Sequence, residues 1–376
     1  MKSPFEFGKV IESNSFIDRT DEIEHLKVNF QSGINTILIS PRRWGKSSLV
    51  QKAGKIIESE NPKIKVCKID LFGITSQKVF AERLIRSVLM KSSSKFEEWL
   101  NIGKQFLQNI IPVFSIGVDP NSDFTIKFDW QSAEKNIEDI LNLPENIGKK
   151  KDIKFVICID EFQNIGNYPD SIAFQEQLRS VWQTHQNTSY CLYGSKRHLI
   201  TDLFKNQSMP FYRFGDIIFL KKIDKKHWMH FIPASFKETG KEIDAGLTEE
   251  IVDLMQNHPH YIQLLAHHVW LNTGRKVTRV IVDSSMKEIM DYYDMVYSRE
   301  IEGFSNHQIS YLKAIAAKEE HLSSKETILK YGINTPGNLT RTKQALEKKD
   351  ILDFFDKTPQ FVDPAFELWF KQKFPA

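Results

Sequence analysis

The sequence predicts an α/β fold: a parallel-sheet sandwich, then a helical segment, then a C-terminal winged helix. Three observations carry that expectation. First, five β-rich apolar runs stand out: "INTILIS" (34–40), "IKVCKIDLF" (64–72), "KFVICID" (154–160), "TSYCLYG" (188–194) and "DIIFLK" (216–221). Most are near-continuous rather than alternating, as strands buried on both faces of a parallel sheet are. Second, helical stretches separate them. "KSSLVQKAGKIIES" follows the first run and "FQEQLRSVWQTH" the third, the alternation of an α/β sandwich. Third, the strand signal stops beyond residue 222 and helical patterning takes over.

The chain of 376 residues is 41% hydrophobic, enough for a sizeable core in two or three domains. With 51 basic and 48 acidic residues the net charge is only +3, so any nucleic-acid contact has to be local. Cys67, Cys158 and Cys191 each sit in an apolar strand-like run without C-x-x-C spacing. They read as buried free thiols in a reducing cytoplasm, and zinc is not expected. The N-terminal "MKSPFEFGKVIES" lacks the apolar region of a signal peptide. No apolar run approaches the roughly 18–20 residues needed to cross a bilayer, so no membrane association is expected.

Taken in order, residues 1–222 form the expected core, with 91–150 decorating it between the second and third strands. There "IPVFSIGV" and "FTIKFDW" flank "DPNSD", which reads as a hairpin with an Asx/Pro turn. Residues 223–304 form a helical lid and linker. In "LTEEIVDLMQNHPHYIQLLAHHVW" one helix breaks at Pro259 and another begins. Residues 305–376 read as the winged helix. "NHQISYLKAIAA" is its first helix, and "SSKETILKYG" opens with Ser323 and Glu326 at capping-box spacing. "TPGNLTRTKQALEKKD" has Thr335 as N-cap, Pro336 at the first helical position, and Leu339, Ala345 and Leu346 toward the core. "ILDFFDKTPQFVDP" gives strand, turn and strand, the wing.

The stretch "ISPRRWGKSSLV" (39–50) carries the first chemical signal. It is nearly a phosphate-binding loop, G-x-x-x-x-G-K-[ST], lying between a buried strand and an amphipathic helix. In such a loop backbone N–H groups cradle phosphates, the lysine neutralises β/γ oxygens, and the hydroxyl holds Mg²⁺. Gly45, Lys46 and Ser47 supply that end, Ser48 follows, and Trp44 precedes them. Lys46 is expected to face solvent. Ser40 stands where the first glycine belongs, at a cost of about 1–2 kcal/mol if that position needs a left-handed backbone. Arg42 and Arg43 either add positive potential around a triphosphate or are exposed loop residues held by acidic neighbours.

The third strand ends in Asp160-Glu161. A carboxylate at the end of a buried strand needs a partner. Asp160 is placed to hold Mg²⁺, and Glu161 to orient and polarise a water against the γ-phosphate. Ser195, at the end of the fourth strand, is either a polar sensor of that phosphate or an ordinary turn serine.

These motifs together resemble the prokaryotic (archaeal-type) AAA+/STAND-like predicted ATPases, over nearly the whole chain. "FIDRTDEIEHL" (16–26) is similar to their F-[VI]-G-R-x-x-E-[LI]-x-x-L, and "SPRRWGKSSL" to G-P-R-R-x-G-K-[TS]-S-L. "IDEFQ" matches their strand-end D-E-F-Q, "YGSKRHLITDLF" their sensor strand and helix, and "NHPHYIQLL" their lid G-x-P-[YF]-Y-[LI]-Q-x-L. The resemblance implies a P-loop NTPase sandwich with strand order 5-1-4-3-2, Arg19 near base and ribose, and Pro259 against the adenine. Asp18, Ser40 and Asn257 each replace a family glycine. Arg213 lies one position from the family arginine; it either reaches a neighbour's nucleotide or pairs with a surface acid.

The expected activity is Mg²⁺-dependent ATP binding and hydrolysis that moves lid and winged helix, a nucleotide-driven switch. A second reading is a DNA-associated ATPase, in which 335–349 and the wing engage duplex through Arg341, Lys343, Lys348 and Lys349. Glu347, Asp353 and Asp356 weaken that electrostatic footprint. A third is a nucleotide-binding scaffold without turnover. A nucleotide-dependent homo-oligomer or an unknown protein partner fits the switch.

Overall fold

The computed structural model describes residues 2–11, 16–107, 110, 113–116, 124–333, 336–355 and 358–375. The chain divides into two compact units. One comprises Arg19–Ser40 and Lys46–Leu220; the other comprises Met1–Asp18, Pro41–Gly45 and Lys221–Ala376.

The first unit is built on a five-stranded parallel sheet: β1 (Thr36–Ile39), β2 (Ile64–Asp70), β3 (Lys154–Asp160), β4 (Thr188–Gly194) and β5 (Asp216–Phe219), in the order β2-β3-β4-β1-β5. This is the expected order 5-1-4-3-2 read from the other edge. The near-continuous apolar runs have their reason here: all of β1 and β4, and Phe155–Ile159 of β3, are buried. Helix α1 (Thr20–Ser32) reaches the sheet through Asn29. Its Nδ2 donates to Thr36 Oγ1 at 3.1 Å and Asp216 Oδ2 at 2.9 Å, tying the starts of β1 and β5 together. Helix α2 (Lys46–Glu60) follows β1 and buries Leu49, Val50, Ala53 and Ile57. The core also holds a stacked Trp182–Tyr190 pair, ring centroids 4.0 Å apart. All three thiols are free and buried, with Cys158 opposite Cys191 in the β3–β4 register.

Between β2 and β3 the strands Val113–Ile116 and Phe124–Lys127 pair antiparallel, the expected hairpin; its "DPNSD" turn lies outside the described residues.

The second unit is helical. Helices Ala245–Leu254 and Pro259–Asn272 flank the expected break, with Pro259 at the first helical position of the second, where its missing N–H costs nothing. The long helix Arg279–Glu302 follows. Then come Asn306–Ala316, Lys325–Tyr331, Pro336–Lys348, a two-residue antiparallel pairing of Leu352–Asp353 with Gln360–Phe361, and a closing helix Pro364–Lys373. Thr335 and Asp356 lie outside the described residues. Two local expectations need correction. Ser324, not Ser323, caps Lys325–Tyr331, accepting from Thr327 N at 3.1 Å. A reciprocal capping box exists instead at Ser305 and Gln308. On Pro336–Lys348, Leu339 and Leu346 are buried, but Thr342 takes the third inward position and Ala345 is only half-buried.

Among the described residues no helix is long and apolar enough to cross a membrane.

Candidate active site

At the carboxyl ends of β1, β3 and β4 the first unit gathers polar side chains, where open α/β sheets place ligands. The turn from β1 into α2 passes through Ser40 and Lys46. Ser40 is not among the residues with positive φ, so serine meets no left-handed strain there and the anticipated penalty does not arise. Gly45 does adopt φ 90°, which a side chain would oppose. Lys46 is buried rather than solvent-facing. It is 6% exposed, and its Nζ donates to the Ser40 carbonyl oxygen at 3.2 Å, folding the lysine over its own loop.

Ser47 Oγ donates to Asp160 Oδ2 at 2.6 Å. The other oxygen of the same carboxylate, Oδ1, accepts from Glu161 N at 2.8 Å. Burial pushes the Asp160 carboxyl up to about 6, countered by the Ser47 hydrogen bond, and the neighbouring Glu161 raises it while Lys46 lowers it. Ser47 and Asp160 are adjacent hard oxygen donors. Among the described residues no group of three or more His, Cys, Asp or Glu could hold a metal by itself. A two-donor site suits an ion such as Mg²⁺, which draws most of its shell from phosphate and water.

Glu161 is left-handed, φ 52° and ψ 39°, and opens the 3-10 turn Phe162–Asn167. Its Oε2 accepts from Ser195 Oγ at 2.9 Å and Ser195 N at 3.3 Å, and from Gln163 Nε2. So Ser195 does meet Glu161. Gln163 is a member of this cluster that the motif reading left out; the only sequence signal for it was its place in "DEFQ". Arg19 is also buried in this unit, paired with Glu22 at 2.8 Å, and Ser48 is buried on α2.

In the second unit the remaining loop residues meet the helix Pro259–Asn272, its N-cap His258 and C-terminal elements. Arg43 donates to Tyr261 Oη at 2.8 Å, and Arg42 Nε lies 3.9 Å from Asp350 Oδ2. The Trp44 ring meets His258 edge-on at 6.3 Å, with Lys222 Nζ 5.9 Å from its centre. Asp18 and Asn257, two of the glycine replacements, adopt φ 56° and 59°. Left-handed backbone explains the family glycine at both places, and Asp and Asn are the side chains that tolerate it best. Arg213 is exposed, lies 5.0 Å over its neighbour Tyr212 and makes no ion pair among the described residues. Lys343 is half-buried, and Lys349 donates to Gly303 O at 2.7 Å while lying over Phe304. Arg341 and Lys348 are exposed.

Residues 16–265 match the model of an ATPase domain family predominantly from Archaea. Among solved structures, a Walker-type ATPase of Pyrococcus abyssi aligns with TM-score 0.67 and 19% identity, over 96% of this chain and 98% of that one. The ORC2 protein of Aeropyrum pernix, solved as ADPNP–ADP complexes, aligns with TM-score 0.58 and 13% identity over 99% and 100%. The ORC1 protein of Aeropyrum pernix in complex with DNA aligns with TM-score 0.50 and 11% identity over 99% and 98%. At these identities the likeness is one of fold. No curated protein matches the chain.

Proposed function

This chain belongs to the family of ATPase domains found predominantly in Archaea, and we propose that its turnover is Mg²⁺-dependent hydrolysis of ATP to ADP and phosphate at the carboxyl ends of β1, β3 and β4. The observation carrying this reading is the joining of the first turn of α2 to the ends of β3 and β4 by two short contacts: Ser47 with Asp160 at 2.6 Å and Glu161 with Ser195 at 2.9 Å. Lys46 neutralises phosphate oxygens once its bond to Ser40 is exchanged for them. Ser47 and Asp160 hold the ion, which when bound supplies charge neutralisation at the phosphates. Glu161 orients the attacking water and takes its proton, and Ser195 offers its hydroxyl to the terminal phosphate. Three buried free thiols favour a reducing compartment such as the cytoplasm.

The test is phosphate release by Glu161→Gln beside the unmutated protein. Gln keeps volume and hydrogen bonding but not the carboxylate. Turnover is expected to fall roughly 10²–10⁴-fold with ATP binding retained, so the variant collects in its ATP-bound state. Hydrolysis by the variant at the unmutated rate removes Glu161 from this role.

We further propose that hydrolysis drives a switch of the STAND type. The supporting observation lies in the second unit, where Arg43 of the phosphate loop is bonded to Tyr261 of the lid. The scaffold reading without turnover rested on three glycine replacements; Ser40 carries no left-handed strain, Asp18 and Asn257 do take the left-handed backbone, and the candidate base Glu161 supports turnover instead. Duplex contact by the C-terminal unit, read as a winged helix, is supported by the exposed Arg341 and Lys348 and by the DNA-bound ORC1 relative. Arg213, exposed and without an acidic partner among the described residues, is the proposed contact to a neighbouring copy's nucleotide.

A further inference from the structure

Glu161 has a second feature besides its strand-end position: one of its two carboxylate oxygens is saturated. Oε2 takes donors from Ser195 Oγ, Ser195 N and Gln163 Nε2. A carboxylate oxygen engaged this fully has little left for water, so the working oxygen is Oε1, and its direction is fixed by whatever holds Oε2.

Gln163 is held unusually firmly. The residue is 4% exposed and sits in the 3-10 turn that Glu161 opens. Its Oε1 is buried without a hydrogen-bond partner. That oxygen lies against Gly194, the last residue of β4; a Cβ built there would come within 1.8 Å of it. The amide orientation is chemically determined. Turned over, it would set an oxygen against the Glu161 carboxylate and lose the N–H bond to it. A buried amide that leaves its own oxygen unsatisfied is costly. What it gains is one charge-assisted bond to the proposed base.

We infer that Gln163 is a positioning residue for hydrolysis, fixing the Glu161 carboxylate so that Oε1 is the oxygen presented to water, and that Gly194 is glycine to make room for it. Ser195 shares the task in a conditional way. Its hydroxyl has one proton to donate, so a phosphate that attracts it takes one donor from Oε2, while the Gln163 bond persists. Gln163 therefore keeps the base oriented at the stage when Ser195 turns to phosphate. This rests on Glu161 being the group that activates water.

A double-mutant cycle tests the inference. Gln163→Met keeps volume and removes the donor; Gln163→Leu removes it with a shorter apolar side chain. Each is measured alone and combined with Glu161→Gln, with kcat and ATP dissociation constant read separately and folding followed by thermal unfolding. Both single variants are expected to lose about 10²-fold in kcat, the scale of a misplaced catalytic group, at unchanged ATP affinity. In the Glu161→Gln background the same changes are expected to cost nothing further. Equal losses in both backgrounds, or unmutated turnover in either Gln163 variant, overturn the positioning role while leaving Glu161 as base. Unmutated turnover by Glu161→Gln alone overturns the base and the positioning role together. The Leu variant, smaller than the cavity it fills, decides the matter if the Met variant fails to fold.

Discussion

Arg43 and Tyr261 are joined by a 2.8 Å hydrogen bond, and the Tyr261 hydroxyl in turn donates to Asp363 Oδ2. Tyr297 donates to the same oxygen at 3.0 Å. Asp363 Oδ1 caps the closing helix through Ala365 N and Phe366 N, at 2.8 and 3.0 Å. One residue of the turn between β1 and α2 and the N-cap of the last helix thus share a single polar chain.

Cutting that chain at its centre should be measurable. Tyr261→Phe removes one hydroxyl and leaves Arg43 short of an acceptor and Asp363 short of a donor. The expected loss of stability is about 1–3 kcal/mol, the cost of stranding polar partners. Denaturant unfolding reads it, and an unchanged midpoint would show the chain contributes nothing.

The same region predicts an acid sensitivity. Burial, with the Arg43 charge beside it, holds His260 down to about 4. Burial also holds His258 well below its ordinary value, with His260, Lys222 and Arg43 adding to the effect. The unfolded chain protonates these rings near pH 6.5, the folded chain only at lower pH. Below 6.5 the unfolded state binds more protons, so stability present above pH 6.5 is lost as pH falls toward 4. After allowance for partial exposure, His260 accounts for about 1–2 kcal/mol of that loss. Thermal unfolding between pH 7.5 and 4.5 checks this, with His260→Gln expected to flatten the profile. A flat profile in the unmutated protein sinks the argument.

Lys46→Ala should abolish ATP binding. Because the lysine is buried and bonded to the Ser40 carbonyl, a stability change of about 1 kcal/mol should accompany the loss. Calorimetric titration with ATP separates the two effects. Unaltered affinity would mean that the loop does not hold phosphate.

For the C-terminal unit, Arg341→Ala combined with Lys343→Ala should weaken duplex binding across all sequences and shrink the salt slope by up to about 2. The half-buried position of Lys343 favours a smaller change. Absence of any duplex binding by the unmutated protein at low salt would retire the DNA reading.

The strands and their ends were legible because burial on both faces demands unbroken apolar runs, and a charged pair such as Asp160-Glu161 closing one of them has no packing explanation. Ser47 and Asp160 were legible as two donors for one ion, but the hydrogen bond between them was not. Gln163 was not legible, since its meaning depends on Gly194 on another strand, and proximity between distant residues leaves no mark in one sequence. The Ser323-for-Ser324 slip has a simpler cause. Two adjacent serines offer the same capping chemistry, and only the backbone selects one. The Ser40 penalty failed because backbone handedness cannot be read from a glycine's absence.

Cys67, Cys158 and Cys191 stand on the neighbouring strands β2, β3 and β4, all buried, and they are the only cysteines in the chain. No thiol lies in the helical unit. A thiol-reactive dye therefore reports opening of the sheet alone, and it does so without any engineered label. Labelling would time the opening of the sheet during denaturation, whereas circular dichroism sums over the helices of both units. The arrangement makes the native sequence its own record of when the sheet comes apart.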